Sequence, residues 1–553
     1  MTIFSRNNLL IVLVLIFSKS GLVWATDYHV GPMQPLASIG EVPWADLNAG
    51  DRVYIHWREV SYKEKWVINC NGSAENLIEI IGVNGPDGQQ PVIDGDNAVT
   101  VPGVNFWNES RGIIKIGGSN VPEDGLPTYI LIENLEIRSA RPGYFFENDS
   151  EEMEEYSDNA AAIYVEKCAN LTIRNCTLHD AGNGLFVGAN GGETQVVLIE
   201  KNNIYGNGIV GSPYEHNAYT AAIDIVFQFN HFGSLLEGAM GNNLKDRSAG
   251  TVVRYNWIES GSRLIDLVDA EDSEVLVDHP SYATTYVYGN ILVKPEAIGN
   301  SQILHYGGDS DTYDDYRKGD LYFYNNTVIS TREGNTTLIN LSTNEETMHV
   351  FNNVIYATAS GNSLAMINGD GIFNMHHNWL KPDWKDCHCD PVGTVNYLDN
   401  IEGTEPGFID FDGSNFRLEN SSDLVDNGDT IPEFLMVDHN VNQEYLEDLD
   451  FITRFVDGNI DIGAFENDFG LAIENFEDKT QFYLYPNPVV DVLNFNFVAP
   501  FEFEIFNSLS QIVQKGNSTL GTSSVNVDGL ESGFYFFIAN YKGSTTTLKF
   551  VKE

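Results

Sequence analysis

Eight short segments of this chain share one pattern, a strand-like run with an Asn and then an apolar residue. They read RNCTL, EKNNI, QFNHF, RYNWI, VYGNI, YNNTV, VFNNV and MHHNW. The apolar marks are Leu178, Ile204, Phe232, Ile258, Ile291, Val328, Val354 and Trp379, spaced 26, 28, 26, 33, 37, 26 and 25 residues apart. Asn202, Asn230, Asn256, Asn326 and Asn352 each stand two residues before their mark. No helical period lies between the segments. β-rich segments repeating in the mid-twenties predict an all-β chain, a right-handed parallel β-helix in which each repeat is one rung and rungs stack about 4.8 Å apart. The apolar mark becomes a ladder through the core, while Asn at the turn tolerates left-handed backbone and bonds to its neighbours in the stack. A propeller needs four strands per blade and a longer period. The two long spacings imply loops inserted after Ile258 and Ile291, where a solenoid usually carries its function.

Composition narrows the partners. There are 30 Lys+Arg against 79 Asp+Glu, a formal net charge of −49, with 42% hydrophobic residues. The apolar content supports a real core, and the acidity argues against nucleic-acid binding, which needs a basic footprint. Polyanions are repelled at long range unless a local basic site offsets the field. At the N-terminus, Arg6 precedes an apolar run from Leu9 to Phe17, and Val23-Trp24-Ala25 fits a small-residue cleavage pattern. Residues 1–25 are therefore expected to be a signal peptide, with the mature chain beginning near Thr26. No later stretch is long enough for a membrane helix. Cys70, Cys168, Cys176, Cys387 and Cys389 make an odd count, so full internal pairing is impossible, and DCHCD around His388 lacks the second half of a zinc spacing.

Residues 26–130, with AGDRVYIHWREV and LIEIIGVNGPDGQQPVIDGDN, alternate strands with Gly/Pro/Asp turns. They resemble the N-terminal cap and first turns of bacterial right-handed β-helix proteins. Residues 131–400 hold the repeat. Residues 401–467, with FRLENSSDLVDNGD and NIDIGAFE, resemble the closing segment of such coils. A polar run over 468–481 reads as a linker. From 482 onward, YPNP, GLESGFYFF and a basic end at Lys549 and Lys552 closely resemble the C-terminal sorting domain of the type IX secretion system. That resemblance implies engagement of the secretion machinery through 482–553, passage across the outer membrane, tail removal, and release or surface attachment. The tail is expected to fold as a small β-sandwich, and the protein is expected to be a monomer.

The stretch GNNLKDRSAG places Lys245 and Arg247 two residues apart, on one side of a strand. Counting along the repeat sets Tyr219 and Lys245 on adjacent rungs, with His305 and Asp269 roughly in line. EHNAYT, NNLKDRS, RLIDLVDAED and LHYGGDSD then form one face. This face resembles that of β-helix polysaccharide lyases of the alginate lyase and chondroitinase B group, and of secreted β-helix proteins with HN-x-Y, K-x-R and LDL at these places, which bring no function. The resemblance implies a pectin-lyase-like carbohydrate enzyme acting on an acidic polysaccharide. Lys245 is then the proton-abstracting base, Arg247 the carboxylate binder, and Tyr219 or His216 the acid. Arg263, His305, Tyr306 and Asn217 are expected to contact substrate, and the cofactor is expected to be calcium or none. Departures are clear: Gly238 and Met240 stand where the calcium-binding acidic pair is expected, and Asp266 replaces an Arg. Asp246 is a difficulty, because alternation turns it inward. The alternatives are a glycoside hydrolase using Asp266 and Asp269, whose spacing requires a turn between them, and a non-catalytic glycan binder. The acidic loop Gly307–Asp320 lacks an EF-hand spacing and reads as solvated.

Overall fold

The structure, a computed structural model, describes residues 25–467 apart from 124, 297, 298, 448 and 457, and residues 483–552 with short gaps. The expected signal peptide (but for Ala25), the expected linker and Pro486 lie outside the described residues. The chain divides into two compact units, one ending at Asn467 and one beginning at Asp468.

The first unit is the right-handed parallel β-helix predicted from the repeat. Three sheets of 13, 13 and 11 strands run along it, and most neighbouring strands follow one another rung by rung. Alternation makes the core. Val53, Ile80, Ile132, Ile173, Ile199, Phe227, Val253, Val287, Phe323, Val350 and Met375 form one inward ladder, all buried. Each step adds apolar area removed from water at about 25 cal/mol per Å².

The marked ladder also exists, but its register is Leu178, Ile204, Phe232, Ile258, Leu292, Val328, Ile355 and Leu380. Ile291, Val354 and Trp379, expected in the core ladder, sit one residue early and face the other way, beneath the C-terminal segment. The Asn ladder shows why. Asn202, Asn230, Asn256, Asn290, Asn326, Asn353 and Asn378 stack along the coil. In successive pairs, Oδ1 of one accepts the backbone N–H of the Asn a rung earlier at 2.9 to 3.0 Å. Each Nδ2 reaches a carbonyl of the preceding rung. In the doublet Asn352–Asn353 the second residue joins the ladder, while Asn352 has φ 56° and makes the turn.

Residues beyond 403 fold back along the outside of the coil. Phe416, Leu418, Leu424 and Ile462 cover Ile291, Val354 and Trp379. Ile431, Leu435 and Val441 cover a row of outward aromatics, Tyr255, Tyr288, Tyr324 and Phe351. At the other end Trp44 stacks on Trp66 at 5.3 Å and closes the first rungs. Cys387 and Cys389 form a disulfide, and Cys70, Cys168 and Cys176 are buried free thiols. The second unit consists of antiparallel strands around Val489, Leu493, Phe503, Ile505 and Phe537.

Candidate functional site

One outward row crosses the second of the two 13-stranded sheets. In register it reads Lys115, Tyr164, Phe186, Tyr219, Lys245, Asp266, His305 and Asn340. Tyr219 and Lys245 are therefore rung neighbours, as the spacing predicts, and Asp266 rather than Asp269 continues the line. Side chains one residue on point inward: Thr220, Asp246, Leu267 and Tyr306. Asp246 is fully buried. Thr220, Ser248 and Thr251 donate to it at 2.6 to 2.7 Å, and Arg317, also fully buried, pairs with it at 3.4 Å. The strand Leu244–Asp246 ends there, so Arg247 turns back to the side of Tyr219 and Lys245.

Above this row lies a groove of about 680 Å³ whose lining includes Arg111, His216, Tyr219, Lys245, Arg247 and Asp309. The Arg247 Nε–H donates to the Tyr219 hydroxyl oxygen at 2.8 Å. Its other nitrogens meet Asp309 at 2.9 Å, Glu271 at 3.0 Å and the Asp269 carbonyl. Lys245 bonds to the second oxygen of Asp309 and lies 3.4 Å from Asp266. One carboxylate thus bridges both cations. It comes from the inserted loop after Tyr306, where the Asp269 carboxylate accepts the Asp309 N–H at 2.7 Å.

The electrostatics sort the carboxyls. Burial alone raises the Asp266 carboxyl, but hydrogen bonding and charge from His305, with Lys245 and Arg263, win, so its pKa lies well below the ordinary range. Asp309 is also lowered, burial being opposed by Lys245 and Arg247. Glu215 in the groove wall is raised by burial, and its Oε2 has no hydrogen-bond partner among the described residues. Burial and then the Lys245 charge push His216 down to about 3. Its Nδ1 accepts the Asn242 N–H at 2.9 Å, so Nε2 carries the hydrogen.

The expected residues divide. Tyr219, Lys245, Arg247, His216 and Arg263 all line the groove. His305 is buried behind it, bonded to Asp266 at 2.8 Å and Ser342 at 2.9 Å, and orients the row. Tyr306 and Asn217 do not fit the expected substrate contacts. Tyr306 is fully buried and faces the core, and Asn217 is locked in an internal network with Asn207 and Asn243. The expected pair of Asp266 and Asp269 is not brought together on the groove, because Asp269 is fully buried beneath the loop, where it accepts the Asp309 N–H. Sequence reasoning missed Glu215, Asp309 and Arg111. The first two lie inside EHNAYT and LHYGGDSD, where only the band was legible. Arg111 comes from an earlier rung and lies over Tyr164 at 4.7 Å.

Among solved structures, the chain is similar to a GH136 lacto-N-biosidase from Eubacterium ramulus, with 14% identity over 68% of each chain and a TM-score of 0.37. It is similar to a PL6-family alginate lyase, with 13% identity over 64% of this chain and 51% of that one, TM-score 0.28. A pectin methylesterase from Aspergillus niger shows 11% identity over 75% and 94%, TM-score 0.25. No curated protein matches the sequence. Residues 483–553 match the family described as the secretion system C-terminal sorting domain, and the protein is exported across the outer membrane to the cell surface or the medium.

Proposed function

We propose that the exported coil is a polysaccharide lyase that cleaves a uronic-acid-containing polymer by β-elimination in the Tyr219–Lys245–Arg247 groove. The observation that supports this reading is the Asp309 carboxylate bridging Lys245 and Arg247. On this reading it stands in for the uronate carboxylate of a substrate, and its side chain is 30% exposed on a loop. Exchanging one carboxylate for another costs little, and a polymer making further contacts along the groove shifts the exchange in its favour. Arg247 then neutralises the uronate, which makes the carbanion at C5 tolerable.

Lys245 works as a base only uncharged, so its ion pair with Asp309 opens first. Its amine takes the C5 proton, the electron pair forms the C4–C5 double bond, and the C4–O bond breaks. Tyr219 gives its proton to the leaving oxygen: Arg247 occupies an acceptor site of the phenol and leaves the O–H free to donate. Tyr219 and Lys245 stand on adjacent strands about 4.8 Å apart, so both reach one face of a sugar ring. His216, neutral over the physiological range, serves better as a hydrogen-bond donor through Nε2 than as the acid. Gly238 and Met240 offer no carboxylate where the resemblance places the calcium-binding acidic pair.

A second reading, a glycoside hydrolase, is favoured by Glu215, a raised carboxyl facing the groove that holds the ionised Asp266. Incubating the protein with alginate, pectate, chondroitin, hyaluronan, heparin and ulvan, with and without calcium, separates the readings. Unsaturated product absorbing in the ultraviolet, lost in Lys245→Ala, is expected. Reducing ends without absorbance support the hydrolase, and neither signal leaves glycan binding.

A further inference from the structure

Away from the groove, three side chains converge at the last rungs. The Nδ1 atoms of His376 and His377 are 3.3 Å apart. The Asp429 Oδ2 lies 3.4 Å from the first and 3.8 Å from the second. Among the described residues this is the one group of three metal-capable side chains gathered so closely. The nearest point equidistant from three atoms with these separations lies in their plane, about 2.0 Å from each, the length of a Zn–N or Zn–O bond.

The fold explains how adjacent histidines can share one point. On a regular strand they would face opposite sides. The strand Ile372–His376 ends at the first, which stacks on Phe351 at 5.3 Å, and His377 has φ 50°, which turns its ring back toward the same side. The rings stand at 87° to one another. Asp429 arrives from the segment that folds back along the coil, and its backbone is held at two points by Asn352. The Asp429 N–H donates to Oδ1 at 2.7 Å, and Nδ2 donates to the Asp429 carbonyl at 2.8 Å. Thr430 N–H occupies Oδ1 of Asp429 at 2.8 Å, leaving Oδ2 for the imidazoles. All three side chains are part-exposed, so water has access to complete the coordination.

We propose that His376, His377 and Asp429 form a binding site for a borderline divalent transition metal, of which Zn²⁺ is the type, that staples the fold-back segment to the last rungs of the coil. Two imidazoles and one carboxylate suit zinc, cobalt or nickel, whereas calcium and magnesium prefer all-oxygen shells. The site is separate from the groove, and its test does not depend on any enzymatic activity.

The chelator-treated full chain is titrated with Co²⁺, visible absorption is followed, and Zn²⁺ is then used to displace the cobalt. One equivalent is expected to bind with the bands of a nitrogen- and oxygen-ligated ion, and Zn²⁺ is expected to raise the Tm by about 3 °C or more. His377→Ala and Asp429→Asn are expected to weaken binding at least tenfold and to abolish the Tm rise. Asp429→Asn keeps the backbone clamp to Asn352, so it reports on ligation in a folded chain, checked by circular dichroism. His29 and His56 also approach at 2.9 Å, and His56→Gln is expected to leave the stoichiometry unchanged. Absence of binding, equal affinity in His377→Ala and Asp429→Asn, or loss of the bound equivalent only in His56→Gln would overturn the proposal.

Discussion

Lys245 and Arg247 share a single carboxylate, and that arrangement makes Asp309 informative. If it holds the place of a substrate carboxylate, Asp309→Ala frees both cations. Steady-state kinetics on the best polymer should then show KM falling about three- to tenfold with kcat little changed, a gain of roughly 1 kcal/mol in binding. Loss of kcat instead would make Asp309 part of the chemistry. His216 gives a pH prediction. Its ordinary value is 6.5, and in the fold it is about 3, chiefly through burial. Between these values the unfolded chain binds more protons than the folded one. The contribution of His216 to stability is therefore full above pH 6.5 and is lost progressively as pH falls toward 3, by about 5 kcal/mol at most. His216→Gln, which keeps an acceptor for Asn242, should flatten that part of a plot of urea midpoint against pH; an unchanged slope contradicts the assignment. The sequence made Lys245, Arg247 and Tyr219 legible because they sit at repeat positions. Glu215 was not legible, because its raised carboxyl depends on how tightly the groove wall packs around it.

The Asn ladder is the element that sets register. Each interior Asn satisfies backbone groups on two rungs, and its loss strands buried donors with no water to replace it. Asn256→Ala should cost about 2–4 kcal/mol, read as a drop in urea midpoint at unchanged m-value, whereas the exposed Asn396→Ala should change little. Most of the repeat was visible in the sequence because stacking makes each rung repeat its neighbour's chemistry. The slips at Ile291, Val354 and Trp379 came where the fold-back segment covers the outside of the coil. There both faces of a strand are apolar, as in Val354–Ala357, all buried. Alternation then loses its contrast, and only the hydrogen-bonded Asn marks the register.

At the scale of the whole molecule the two units have separate tasks. Removing residues 483–553 should leave the coil with its cooperative melting transition and stop export, checked by circular dichroism and by fractionating cells from medium. Undiminished appearance outside the cell would count against a sorting role. The sequence by itself determined the coil, the order of its rungs, the outward row through Tyr219 and Lys245, and the tail. These are local or periodic signals, written wherever a residue must match its neighbour one rung away. Only the tertiary structure decided that Asp309, 64 residues from Lys245, bridges the two cations, and that Asp429 returns to His376 and His377. Inserted loops and a returning segment obey no period. Where they come to rest is set by what they bury and bond, such as Arg317 reaching Asp246 or Asn352 clamping Asp429.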